Sequence, residues 1–127
     1  MKPVKQSKLY APDGIHNGDC MAACLASLLE LPLWMVPPFE QMFGRADWRM
    51  RIDQWLLRMH GMEMVRLSGH PVELLPEFYI ACGPASRGVD HSVIFSRGLL
   101  VHDPHPSNEG ISLVEWTWHL ERKHVAV

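Results

Sequence analysis

No stretch of this chain approaches the roughly 18 consecutive apolar residues that cross a bilayer, so a membrane span is not expected. Positive charge is not in excess either: 12 Lys and Arg stand against 14 Asp and Glu, a net charge of -2. That balance leaves no basic footprint for a nucleic-acid backbone and no polybasic anchor for lipid. Cysteine is scarce, with three residues in 127. Met1 to Gln6 carries basic residues without an apolar run behind them, so it does not read as a signal peptide. Three cysteines in such a chain point to free thiols in a reducing, cytoplasmic setting rather than to a disulfide scaffold. Repeats and low-complexity tracts are missing, and the ten prolines are dispersed rather than gathered into a linker. Cys-x-x-Cys and His-Glu-x-x-His spacings are missing too, which removes the usual zinc signatures.

What is present suits one soluble domain spanning 1–127. Hydrophobic residues make up 47% and charged residues 20%, enough to fill a core and cover it. Asn17-Gly18-Asp19-Cys20 precedes a run from Met21 to Leu31 that Pro32 stops. Asp19 is a good N-cap, and the helix behind it is apolar nearly all round, which places it in the middle of the domain. Pro32 to Pro38 reads as a turn-rich connection holding one short helical turn. A second helix is expected from Asp47 to His60: Trp48, Ile52, Trp55, Leu56 and Met59 share one face, the arginines take the other, and Gly61 stops it.

Beyond Gly61 the period changes to that of strands. Candidates are Glu63–Leu67, Glu77–Cys82, His91–Phe95, Leu99–Asp103 and a segment around Leu113–Leu120. In the last, Val114, Trp116, Trp118 and Leu120 alternate with Glu115, Thr117, His119 and Glu121, as in a strand with one buried face. Helices followed by an antiparallel sheet make the fold class α+β.

Cys20 is the first residue with chemical interest. At the opening turn of a buried helix, unpaired N–H groups and the helix dipole favour a thiolate. The second is a hairpin. A three-residue loop, Ser96-Arg97-Gly98, would set Phe95 against Leu99, Val93 against Val101 and His91 against Asp103. Side chains paired that way have Cβ atoms about 5 Å apart, so the carboxylate could fix the imidazole tautomer and leave its other nitrogen as a base. A two-residue loop would send the two side chains to opposite faces. Cysteine at a helix start, with histidine and aspartate on later strands, is the order of a nucleophile, its base and the base's orienter.

The same residues resemble a family. Gly18-Asp19-Cys20-Met21-Ala22-Ala23-Cys24-Leu25 is similar to the active-site helix of papain-like peptidases of the double-glycine leader type, which process bacteriocin leaders and open with an Asp-Cys-Gly-Ala-Ala-Cys-like start. Asp90-His91-Ser92-Val93-Ile94-Phe95 resembles their His-Phe-Val-Val strand, and Val101-His102-Asp103-Pro104 their strand ending in Asp-Pro. The three blocks run in the family's order between residues 18 and 104. The resemblance implies a papain-like fold, with an N-terminal buried helix carrying the cysteine on a C-terminal antiparallel sheet. It implies Cys20 as nucleophile, His91 as general base then acid, and Asp103 as orienting carboxylate. A peptide or protein substrate, no cofactor and a bacterial or phage origin go with it. Two departures stand out: Met21 replaces the glycine after the nucleophile, and no glutamine lies a few residues before it. Gln6, if residues 7 to 17 loop out, and Asn17 are the two candidate oxyanion-hole side chains, beside the Cys20 N–H.

Two readings from other classes remain open. A non-catalytic papain-like module would bind a protein partner through the same cleft. A small metal-binding domain would use His102, Asp103 and His105 with His16 or Cys24, although residues 102 and 103 of one strand point to opposite faces. Cys24 and Cys82 read as core, Trp116 and Trp118 as core-filling neighbours on one strand face, and Gly83 to Gly88 as a loop that either borders the cleft or is ordinary surface. Oligomeric state and substrate are not legible.

Overall fold

The computed structural model describes residues 1–9, 18–43 and 47–123, and in them helices come first and an antiparallel sheet follows. Helix α1 spans Cys20–Leu29, and every residue from Met21 to Ser27 is buried, as a helix without a polar face requires. It ends earlier than Leu31. Glu30 turns left-handed (φ 57°) and its N–H, like that of Leu31, closes back on Ala26 and Ser27, so the helix stops before Pro32 acts. Asp19 stands at the N-cap position without capping. Its carboxylate instead accepts from the Ser7 and Lys8 N–H groups and the Ser7 hydroxyl, outcompeting the helix amides.

Pro32 to Pro38 holds the expected short turn, a 3₁₀ segment at Leu33–Met35. A four-residue helix α2, Phe39–Met42, follows without any periodic signal in the sequence. Buried Phe39 anchors it edge-on against Trp55 of α3. Helix α3 runs Trp48–His60 and ends on left-handed Gly61, whose N–H reaches Leu56 and Leu57. Among the described residues no helix is long and apolar enough to cross a membrane.

Five strands form one antiparallel sheet: β1 Met62–Ser68, β2 Phe78–Pro84, β3 Asp90–Ser96, β4 Leu99–His102 and β5 Trp116–Arg122, in the order β1-β5-β2-β3-β4. One face, with Ile80, Cys82, Ile94 and Trp118, packs on α1 and α3. The other was expected to be solvated along β5, yet Thr117 and His119 are buried. A second apolar cluster around Tyr79, Ala81 and Val93, joined by Leu75, Phe95, Ile111 and Val114, covers that side. Thr117 pairs with Ala81 of β2 and so shares the face that this cluster covers, and the alternation along β5 no longer separates core from water. Gly83 marks the tightest approach: a Cβ there would sit 1.8 Å from the Leu113 carbonyl oxygen.

The β3–β4 hairpin does not use the three-residue loop. Ser96 pairs with Leu99 across a two-residue turn, Arg97 (φ 52°) and Gly98 (φ 83°), both left-handed as a type I′ hairpin needs. Such a turn alone would set His91 and Asp103 on opposite faces. A β-bulge restores the parity, because Phe95 pairs with Leu100 while Ile94 pairs with His102, leaving Val101 as an extra residue. The pairings Phe95–Leu99 and Val93–Val101 are thus replaced, and Asp103 still returns to His91.

The N-terminal segment acts as a strap. The Val4 N–H donates to Ser27 Oγ on α1, and the Val4 carbonyl accepts from His102 Nε2 at 2.7 Å. Gln6 N–H donates to the Pro104 carbonyl, and Lys5 Nζ reaches the Asp103 and His105 carbonyls. Both ends of the strap therefore hold residues next to the site.

A candidate cysteine active site

His91 is the second residue of β3 and Asp103 follows β4 directly. Both are buried, at 4% and 3% exposure, and His91 Nε2 meets Asp103 Oδ1 at 2.6 Å. With Nε2–H as the donor, Nδ1 keeps its lone pair and is the basic nitrogen. Asp103 is held from every side: Oδ1 also accepts the His105 N–H at 2.9 Å and Oδ2 the Gly110 N–H at 2.8 Å. Burial pushes its carboxyl up, but the bonds from His91, His105 and Gly110 outweigh this and hold it down at about 2. The carboxylate therefore stays charged and fixes the imidazole. The His105 ring stands perpendicular to that of His91, with centroids 6.0 Å apart. Burial, with Arg87 and His91 nearby, lowers its pKa.

Cys20, His91, Ser92 and His105 line one cleft of about 1240 Å³, floored by Cys82, Trp116 and Trp118. The cysteine is half-buried at the first position of α1. The expectation of a dipole-stabilised thiolate is not met: burial, and then the Glu40 carboxylate, push the thiol up to about 12. Ser92, through its N–H and hydroxyl, offsets this only in part. Cys82 behind it is likewise raised to about 12 by burial, and its Sγ lies 3.3 Å from Ser92 Oγ. Cys24, fully buried in the core one turn along α1, is raised as well.

Glu40 is the residue sequence reasoning missed. Its carboxylate accepts from the Met21 and Ala22 N–H groups, each at 3.2 Å, and so caps the helix that Asp19 leaves uncapped. Burial raises its pKa to about 7 against the pull of those two amides. Nothing in the Pro-rich segment signals this role; only the missing cap partner of α1 could have prompted a search for a distant carboxylate.

The oxyanion candidates are placed differently. Lys8 accepts the Asp19 N–H, so Gln6, two residues earlier, lies near the start of α1. Its Nε2 donates to the Lys8 carbonyl, its Oε1 is buried without a partner, and Gln6 does not line the cleft. Asn17 lies outside the described residues, as does His16. Among the described residues no group of three or more His, Cys, Asp and Glu side chains could hold a metal ion. His102 turns to the strap, away from Asp103. Compared with protein-family models, curated proteins and solved structures, the chain matches none.

Proposed function

We propose that the protein is a cysteine-dependent acyl-transfer hydrolase of papain-like type, with Cys20 as nucleophile, His91 as base and Asp103 as its orienter. The observation that carries this reading is the buried 2.6 Å His91–Asp103 bond at the rim of a cleft shared with Cys20. Because the resting thiol is neutral, the proton leaves only as the bond to carbon forms. His91 Nδ1 takes the Cys20 proton while Sγ attacks an amide carbonyl, whose oxygen becomes an oxyanion. The Cys20 N–H is one donor available to it. Collapse breaks the C–N bond, and His91 returns the proton to the departing amine. Water then gives a proton to His91 and attacks the thioester, the C–S bond breaks, and the proton returns to Sγ as the acid departs. Asp103 keeps its charge throughout and stabilises the imidazolium.

A second reading has its own support. A thiol raised by burial to about 12, at a helix end occupied by Glu40, suits a cleft that binds a protein partner without chemistry. One experiment separates the two. On treatment with p-nitrophenyl acetate, Cys20 should gain an acetyl group, seen by peptide mass spectrometry, and lose it again by hydrolysis. His91→Ala should slow acylation by roughly 100-fold, the contribution of a positioned general base. Absence of the adduct, or equal rates in the variant, would remove the catalytic reading and leave the binding module.

A further inference from the structure

On the side of the cleft away from α1, two guanidinium groups gather on one indole. Arg49, in the first turn of α3, lies 4.6 Å from the centroid of Trp118. Arg66, paired with Trp118 across β1 and β5, lies 5.8 Å from the same ring and 5.1 Å from that of Trp116. Both arginines and both tryptophans line the cleft that holds Cys20. Among the described residues neither arginine has a carboxylate within ion-pair distance. Asp53, one turn along α3, feels Arg49 only at longer range. The cleft's own acids are elsewhere: Glu40 is committed to the α1 amides, and Asp90 stands beside His91.

Like charges gathered on one ring repel, and the indole faces relieve only part of that. Stacking covers a guanidinium's flat face and leaves its N–H edges free, which is the fork that grips a planar carboxylate. The distance to the nucleophile is short in residue terms. Cys20 and Ser92 line the same cleft, Ser92 Oγ lies 3.3 Å from Cys82 Sγ, Cys82 pairs with Trp116 across the sheet, and Arg66 lies over Trp116.

We propose that Arg49 and Arg66, seated on Trp118 and Trp116, form a specificity subsite for a carboxylate, so that the cleft selects acyl or peptide substrates carrying an acidic residue beside the scissile bond. The assignment of a scissile bond rests on the hydrolase reading, whereas the carboxylate site itself does not. The test uses the whole protein labelled at its tryptophan indoles with ¹⁵N. N-acetyl-glutamate α-amide and N-acetyl-glutamine α-amide, matched in size and differing by one charge, are titrated in low salt. The Trp116 and Trp118 indole signals should respond to the glutamate compound at a half-saturating concentration about fivefold lower than for the glutamine compound. In Arg49→Gln/Arg66→Gln the preference should vanish, so that the two compounds titrate at the same half-saturating concentration. Coincident titrations in the wild type, or a preference that survives the double substitution, would overturn the proposal. Acylation of Cys20 measured on the same samples tests the nucleophile separately. Charge selection without acylation would sustain the carboxylate site and remove only the hydrolase reading.

Discussion

The two halves of the candidate site are prepared to different degrees. On the His91–Asp103 side, the carboxylate accepts from one imidazole and two backbone amides, and the pair is buried on one face of a bulged hairpin. On the Cys20 side, the thiol is protonated and faces a carboxylate that occupies the helix amides. The proposed base is thus organised by strands of the sheet. The proposed nucleophile depends on a four-residue helix and on one titratable cap. The contrast separates orientation, which the sheet supplies permanently, from activation, which this fold leaves conditional.

The comparison breaks most completely at Gly83, which pairs with His91 across β2 and β3. Gly83→Ala would drive a methyl into the Leu113 carbonyl, and is expected to destabilise the fold by about 4 kcal/mol in urea unfolding. The next largest effect is at Asp103. Asp103→Ala leaves His91 and two amides unpaired in a buried site and should cost about 3 kcal/mol. Its pH signature follows from a folded pKa of about 2 against about 3.9 unfolded. The folded state binds the proton more weakly, so the carboxylate's stabilisation of about 2 kcal/mol is complete above pH ~4 and fades as pH falls toward ~2. In Asp103→Ala this component of the acid unfolding profile should disappear.

The smallest effect sharpens the contrast on the other side. Glu40→Gln removes the charge facing the thiol while keeping an acceptor for the α1 amides. Iodoacetamide should then alkylate Cys20 at pH 8 several-fold faster, with Cys24 and Cys82 unchanged as internal controls. Because the Glu40 pKa is raised to about 7, the folded state holds that proton more tightly than the unfolded one. Wild-type stability should therefore fall as pH rises from about 4.5 to 7, and Glu40→Gln should flatten that slope. An unchanged alkylation rate would show that burial alone sets the thiol's pKa.

Much of the fold was legible because its signals are local. An all-apolar helix had to be internal, the α3 stripe and Gly61 bounded the second helix, and each of the five strands formed within a few residues of its expected place. The hairpin loop was misread because Ser96-Arg97-Gly98 fits both a three-residue and a two-residue turn. The bulge at Val101, which depends on pairing across the sheet, has no local mark. Asp103 was thus associated with His91 through the wrong register. Glu40 and Arg66 were invisible for a related reason. One lies in a short helix anchored by Phe39 packing, the other at an exposed strand position whose meaning comes from tryptophans 50 and 52 residues later.

The strap also sets an order of events during synthesis. Val4 and Lys5 leave the ribosome long before His102 and Asp103, from which 98 residues separate each of them in sequence. Closing so long a loop is entropically slow to begin, so these contacts can form only after α1 and most of the sheet have been made. A nascent chain would therefore carry its cysteine helix through the synthesis of four strands without the aspartate of the proposed triad, and any reactivity of that triad would wait for residue 103.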